Sequence, residues 1–120
     1  ELTGLRTLSL WGGNFGTDLT IVSKLVNLQN LFVNDEFVTS LSGIENLQRL
    51  EVFCMDGTNA TDISPLTKLP RLQVVRLQGV PIVEFAPLFS CHSLQEVAAD
   101  SRQKEKIEQL GDPVFMIFVE

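Results

Sequence analysis

The chain has 120 residues and a mass of 13.4 kDa, the size of one domain, so separate cofactor and substrate lobes are excluded. Its 9 basic and 15 acidic side chains give a formal net charge of −6, the wrong sign for a phosphate-backbone binder, which argues against nucleic acid as a partner. With 44% hydrophobic and 20% charged residues it can offset its ordering entropy, and no stretch approaches the ~18 apolar residues that cross a bilayer, so no membrane insertion is expected.

The first predicted element is a short strand over 7–11, in which Leu8 and Leu10 point inward while Thr7, Ser9 and Trp11 point out. Gly12, Gly13 and Gly16 follow; lacking the lysine of a phosphate-binding loop, they read as turn formers. An outer return segment comes next, Asp18-Leu19-Thr20-Ile21-Val22. The spacing of Leu2, Leu5, Leu8 and Leu10 then recurs as Leu25, Leu28, Leu31 and Val33, with a second strand over 30–34. A third copy reads Ile44, Leu47, Leu50 and Val52, with its strand over 49–53. The fourth, Leu69, Leu72, Val75 and Leu77, places a strand over 74–78, and the fifth, Cys91, Leu94, Val97 and Ala99, one over 96–100. Return segments Asp62-Ile63-Ser64-Pro65-Leu66 and Glu84-Phe85-Ala86-Pro87-Leu88 line up with each other and more loosely with the first one. Their prolines suit a 3₁₀ turn and not a ladder.

Five copies therefore begin at residues 2, 25, 44, 69 and 91, an average step of about 22 residues, and stacking them gives a solenoid with a parallel sheet. After Asp100 the pattern breaks. Residues 102–110 read as a short helix capped by Asp100 or Ser101 and ended by Gly111 and Pro113. Residues 114–119 then form a sixth strand closing the array, whose free edge is able to pair with a second copy in a homodimer. Residues 1–120 are read as a single repeat domain with a C-terminal cap over 101–120.

These residues resemble the leucine-rich repeat family, and the step with its Asp-Ile-x-Pro-Leu return resembles the internalin type. The resemblance covers residues 2 to about 100. It implies an α/β, right-handed leucine-rich repeat solenoid with a concave parallel sheet, short 3₁₀ or irregular convex segments and a helix-strand cap. It also implies recognition of another protein. One departure stands out: the family's turn asparagine is replaced by Gly13, Glu36, Met55, Val80 and Arg102, so the turns have to satisfy their backbone groups in other ways.

On the concave face, outward strand positions form columns. In this register one runs Ser9, Phe32, Glu51, Arg76 and Ala98, and the next Trp11, Asn34, Phe53, Gln78 and Asp100. Trp11, Phe32 and Phe53 then form an aromatic patch of the kind found at binding hot spots. Arg49, Glu51 and Arg76, with a Glu51–Arg76 cross-strand pair, flank it beside Asn34 and Gln78. The function expected is a non-enzymatic protein-interaction module gripping another protein there. The alternative is the repeat region of a larger protein whose catalytic or effector part lies outside this chain.

Catalytic residues are expected to be absent. His92, the single histidine, lacks a nucleophile and an orienting acid. Cys54 and Cys91 lie two coils apart, too far to bond, and nothing basic is visible beside Cys54 to activate it. No zinc spacing, cofactor motif or paired carboxylate signature occurs. Two cysteines without a secretory leader favour a cytoplasmic location; an extracellular one stays open if the chain is a processed fragment.

Overall fold

Each copy of the repeat is too short to bury its own leucines, so the chain coils and stacks them. The computed structural model describes residues 4–13 and 15–119; Leu2, the first slot of the first copy, lies outside these. Among the described residues six strands, β1 (Thr7–Trp11), β2 (Asn30–Asn34), β3 (Val52–Cys54), β4 (Val74–Arg76), β5 (Glu96–Ala99) and β6 (Met116–Val119), pair in chain order in one parallel sheet. Four 3₁₀ segments run along the opposite side: Thr20–Val22, Ile44–Asn46, Ser64–Lys68 and Ala86–Ser90. One helix, α1 (Ser101–Glu108), precedes β6. The body measures 44 × 26 × 21 Å.

The register corrects the third copy. Leu31 pairs with Phe53, Phe53 with Val75, and Val75 with Val97, so the step from β2 through β5 is a constant 22 residues and this copy begins at Leu47, not at Ile44. Phe53 is consequently fully buried and not exposed on the concave face. The internal row runs Leu8, Leu31, Phe53, Val75, Val97 and Ile117, while Leu50 joins Leu28, Leu72 and Leu94 in the row behind. Ile44 misled because it lies three residues before Leu47, reproducing the motif spacing with a residue that belongs to the return segment. Each buried Leu, Val or Phe contributes roughly 1.5–3 kcal/mol relative to exposure, and the rows are unbroken from coil to coil.

Backbone pairing at the corner before the strands is equally regular. The amides of Glu51 and Val52 both donate to the Gln29 carbonyl, those of Gln73 and Val74 to Glu51, and those of Gln95 and Glu96 to Gln73. Glu51 is thus a corner residue, half-buried, outside the concave columns. Arg49 is exposed one step earlier, in the approach to β3.

Convex segments share a device that the sequence pattern shows only in part. The side chains of Asp18, Ser40, Asp62 and Glu84 accept hydrogen bonds from the amides of Thr20, Ser42, Ser64 and Ala86, at 3.0, 3.1, 2.9 and 2.9 Å. Such side-chain turns fix the start of each return, and Ser40 marks a fourth return beyond the three aligned by sequence. Three residues after Ser40, Gly43 sits at φ 109°, and a Cβ there would lie only 2.6 Å from the Leu19 backbone, so two windings touch main chain to main chain at this point.

The missing asparagines are replaced piecemeal. With the corrected register the third turn position is Thr58, not Met55; Thr58 is buried and its hydroxyl donates to the Met55 carbonyl at 2.8 Å. Asp35 is buried too, its Oδ1 accepting from the Phe37 amide at 2.9 Å. At the last turn Gln103 of α1 fills this role. Its Nε2 donates to the carbonyls of Leu77 and Val80 at 2.8 and 3.0 Å, and its Oε1 accepts from the amides of Asp100 and Gly79 at 2.9 and 3.4 Å. Asp100 completes a capping box by accepting from the Gln103 amide at 2.8 Å.

Candidate functional site: the concave face

In a parallel sheet alternate residues face the same way, so each strand contributes one outward residue per column. The middle column is Ser9, Phe32, Cys54, Arg76, Ala98 and Phe118. Toward the strand ends the next column runs Trp11 and Asn34, then Asp56, Gln78 and Asp100 at the equivalent positions of the following coils. Toward the strand starts lie Thr7, Asn30, Val52, Val74, Glu96 and Met116.

Two hollows open on this face. The first, about 370 Å³, is lined by Ser9, Trp11, Phe32, Val33, Asn34, Cys54, Asp56 and Arg76. The second, about 390 Å³, is lined by Val74, Arg76, Glu96, Ala98, Phe118 and Val119. Arg76 is the partition between them. Trp11 is 71% exposed, whereas Phe32 is half-buried in the floor.

Of the residues singled out in the sequence, the structure therefore brings Trp11, Phe32, Asn34 and Arg76 into one hollow. Gln78 stands beside it, its amide donating to Asp56 Oδ1 at 2.9 Å. Phe53, Arg49 and Glu51 are elsewhere. The predicted Glu51–Arg76 pair is replaced by Arg76–Asp56, 3.3 Å apart with the two side chains 37% and 25% exposed. Sequence reasoning missed Cys54, Asp56 and Phe118 on this face. Aligning the return segments first would have found the former two, because Ile44, Leu66 and Leu88 are 22 residues apart.

Cys54 also differs from expectation in its neighbours: Arg76 lies directly opposite it in the ladder. Burial raises the Cys54 pKa nonetheless, outweighing the backbone hydrogen bond at Asp56 and the guanidinium. The thiol is thus held neutral, the opposite of an activated nucleophile. Cys91 is buried among carbonyls, 3.6 Å from that of Leu66 and 3.4 Å from that of Pro87, and burial pushes its pKa up to about 11. Both cysteines are free. His92 is exposed on the approach to β5. Among the described residues no group of three His, Cys, Asp or Glu side chains is arranged to hold a metal, and no helix is long and apolar enough to cross a membrane.

A single parallel sheet built from repeating coils of 22 residues, backed by 3₁₀ segments and closed by a helix and strand, defines a leucine-rich repeat solenoid. In particular, the fold is similar to those of solved internalins. An internalin (inlF) from Listeria monocytogenes superposes with a TM-score of 0.68 and 23% identity, over 82% of this chain and 36% of that one. An internalin C2 (inlC2) from the same species gives 0.55 and 27%, over 82% of this chain and 53% of that one. The chain thus spans between about a third and a half of the length of these proteins. No protein-family model and no curated protein sequence matches it.

Proposed function

We propose that this chain is a non-enzymatic recognition module that binds another protein on the concave face of its sheet. The observation carrying this reading is Trp11, 71% exposed at the mouth of an apolar hollow floored by Phe32. A large aromatic held out on a rigid sheet costs little entropy to bind and is the commonest type of hot-spot anchor. The likeness to internalin solenoids supports the general class, a repeat module that offers surface and not chemistry. The raised thiol of Cys54 supports the absence of covalent catalysis on this face.

Affinity capture from native lysate tests it, comparing the parent with Trp11→Ala, Phe32→Ala and Ile21→Ala, the last an exposed convex residue. The reading requires a partner retained by Ile21→Ala and lost by the two concave variants; loss with Ile21→Ala alone rejects it.

A second reading makes the module one part of a longer assembly. Leu8 and Leu10 are half-exposed at the β1 end, whereas their row neighbours Leu31 and Val33 are sealed. At the opposite end the outer edge of β6 has no strand beside it among the described residues, and residues 114–119 carry no charge. Further coils would seal the first end, and a second copy could pair along the other.

A further inference from the structure

The net charge of −6 is not spread evenly over the coils. Divide each winding into the half that leaves a strand and the half that approaches the next. The four leaving halves, residues 11–22, 33–44, 55–66 and 77–88, contain Asp18, Asp35, Glu36, Asp56, Asp62 and Glu84 and no lysine or arginine. The three approaching halves between them contain Lys24, Arg49, Lys68, Arg71 and Arg76 against two carboxylates, Glu45 and Glu51. Because all strands are parallel, every leaving half emerges on the same flank: Glu36 and Asp56 lie beside the strand ends, Asp18, Asp62 and Glu84 sit farther back where the convex segments begin, and Asp35 is buried.

The face itself repeats the bias. Among its described column positions stand three carboxylates, Asp56, Glu96 and Asp100, against one guanidinium, Arg76, which Asp56 already holds at 3.3 Å. Asp56 and Asp100 both lie in the column next to the acidic flank, and Glu36 is exposed two residues beyond Asn34 in the hollow's rim. An anionic occupant of the first hollow would therefore meet carboxylates with no unneutralised cation among these columns, whereas a cationic one meets a complementary field.

Resting on the concave reading above, we infer that the partner presents a cationic segment: a large apolar side chain seated against Phe32 and Cys54, with lysine or arginine directed to the strand-end flank. The apolar hollow supplies the anchor, and the flank supplies steering and orientation. Neither feature alone would select a partner, since carboxylates on an open flank attract any cation and the hollow accepts any aliphatic or aromatic group.

The test is selection from a displayed random peptide library against the intact chain, followed by titration of the enriched peptides. Peptides that lose binding to Trp11→Ala are expected to carry an excess of lysine and arginine. Their affinity should fall about tenfold or more in Glu36→Lys, beside the strand ends, and by less than about twofold in Gln48→Lys, exposed on the approach to β3 at the other flank. It should also weaken as salt shortens the Debye length from about 30 Å to about 3 Å. Enriched peptides that need Trp11 but are neutral or acidic overturn the inference and leave the concave site standing. Peptides indifferent to both Trp11→Ala and Phe32→Ala, or no enrichment at all, overturn the concave reading and this inference together.

Discussion

Arg76 reaches one coil back to Asp56, with 3.3 Å between Nη2 and Oδ2, and by doing so divides the concave face into its two hollows. Asp56 has a second task, accepting the Gln78 amide at 2.9 Å. The two partners are therefore unequal. Arg76→Ala removes a partly exposed ion pair of the kind worth about 0–1 kcal/mol. Asp56→Ala also strands a backbone amide, so it is expected to be the more destabilising by about 1 kcal/mol in urea denaturation.

Phe53 and Phe32, although the sequence makes both candidates for the same aromatic patch, should respond oppositely. Phe53 is fully buried in the central row, and Phe53→Ala is expected to cost about 3–5 kcal/mol. Phe32→Ala, in the hollow floor, should stay within about 1 kcal/mol of the parent while abolishing partner binding. Chemical denaturation of the two variants beside a capture assay separates these outcomes.

Gln103 holds four backbone groups of two coils at once. Gln103→Leu keeps much of the volume but leaves those carbonyls and amides without it, at roughly 1–3 kcal/mol for each group left unsatisfied and buried. We expect a loss of about 2 kcal/mol or more and faster hydrogen exchange in α1 and the turn at Gly79, before any change near β1.

The Cys91 thiol, raised by burial to about 11 from its ordinary 9.0, gives the fold an alkaline limit. Below pH 9 the thiol is protonated in both folded and unfolded chains, and its contribution is fully present. Above it the unfolded chain loses the proton first, so stability falls as pH rises from 9 toward 11, by at most about 1.4 kcal/mol per pH unit. Denaturation midpoints across that window should fall less steeply in Cys91→Ala. In the same range Cys54, also raised, should alkylate more slowly than a free thiol.

If copies pair through β6, the solution mass will rise with concentration, and Met116→Lys, at a position 63% exposed, will return it to that of one chain. Sedimentation at two concentrations decides this; a mass of one chain at both removes the β6 contact.

The strands of the first, second, fourth and fifth copies were legible because apolar residues alternate there with polar ones and glycine or proline marks the return. The third copy was not, since Ile44, Leu47, Leu50 and Val52 satisfy the same spacing as the true set Leu47, Leu50, Phe53 and Met55. A spacing pattern carries no information on which side of the coil a leucine lies; only pairing with the neighbouring strand fixes it. That slip moves Phe53 onto the concave face and hides Cys54 and Asp56. The role of Gln103 was illegible for another reason: its four partners are backbone atoms more than 20 residues away or at the helix start, and no side-chain pattern announces them.

The constant pitch from β2 to β5 has an architectural corollary. Because residues 47–68 make one full winding, excising them would splice Asn46 to Leu69 and bring Val75 directly beneath Leu31, with every aliphatic tier still in line. Arg76 would then sit beside Phe32 without Asp56 to restrain it. The shortened protein would be a shallower cradle with a positive charge at its centre no longer offset by Asp56, its surface re-tuned by removing a whole turn instead of altering a side chain.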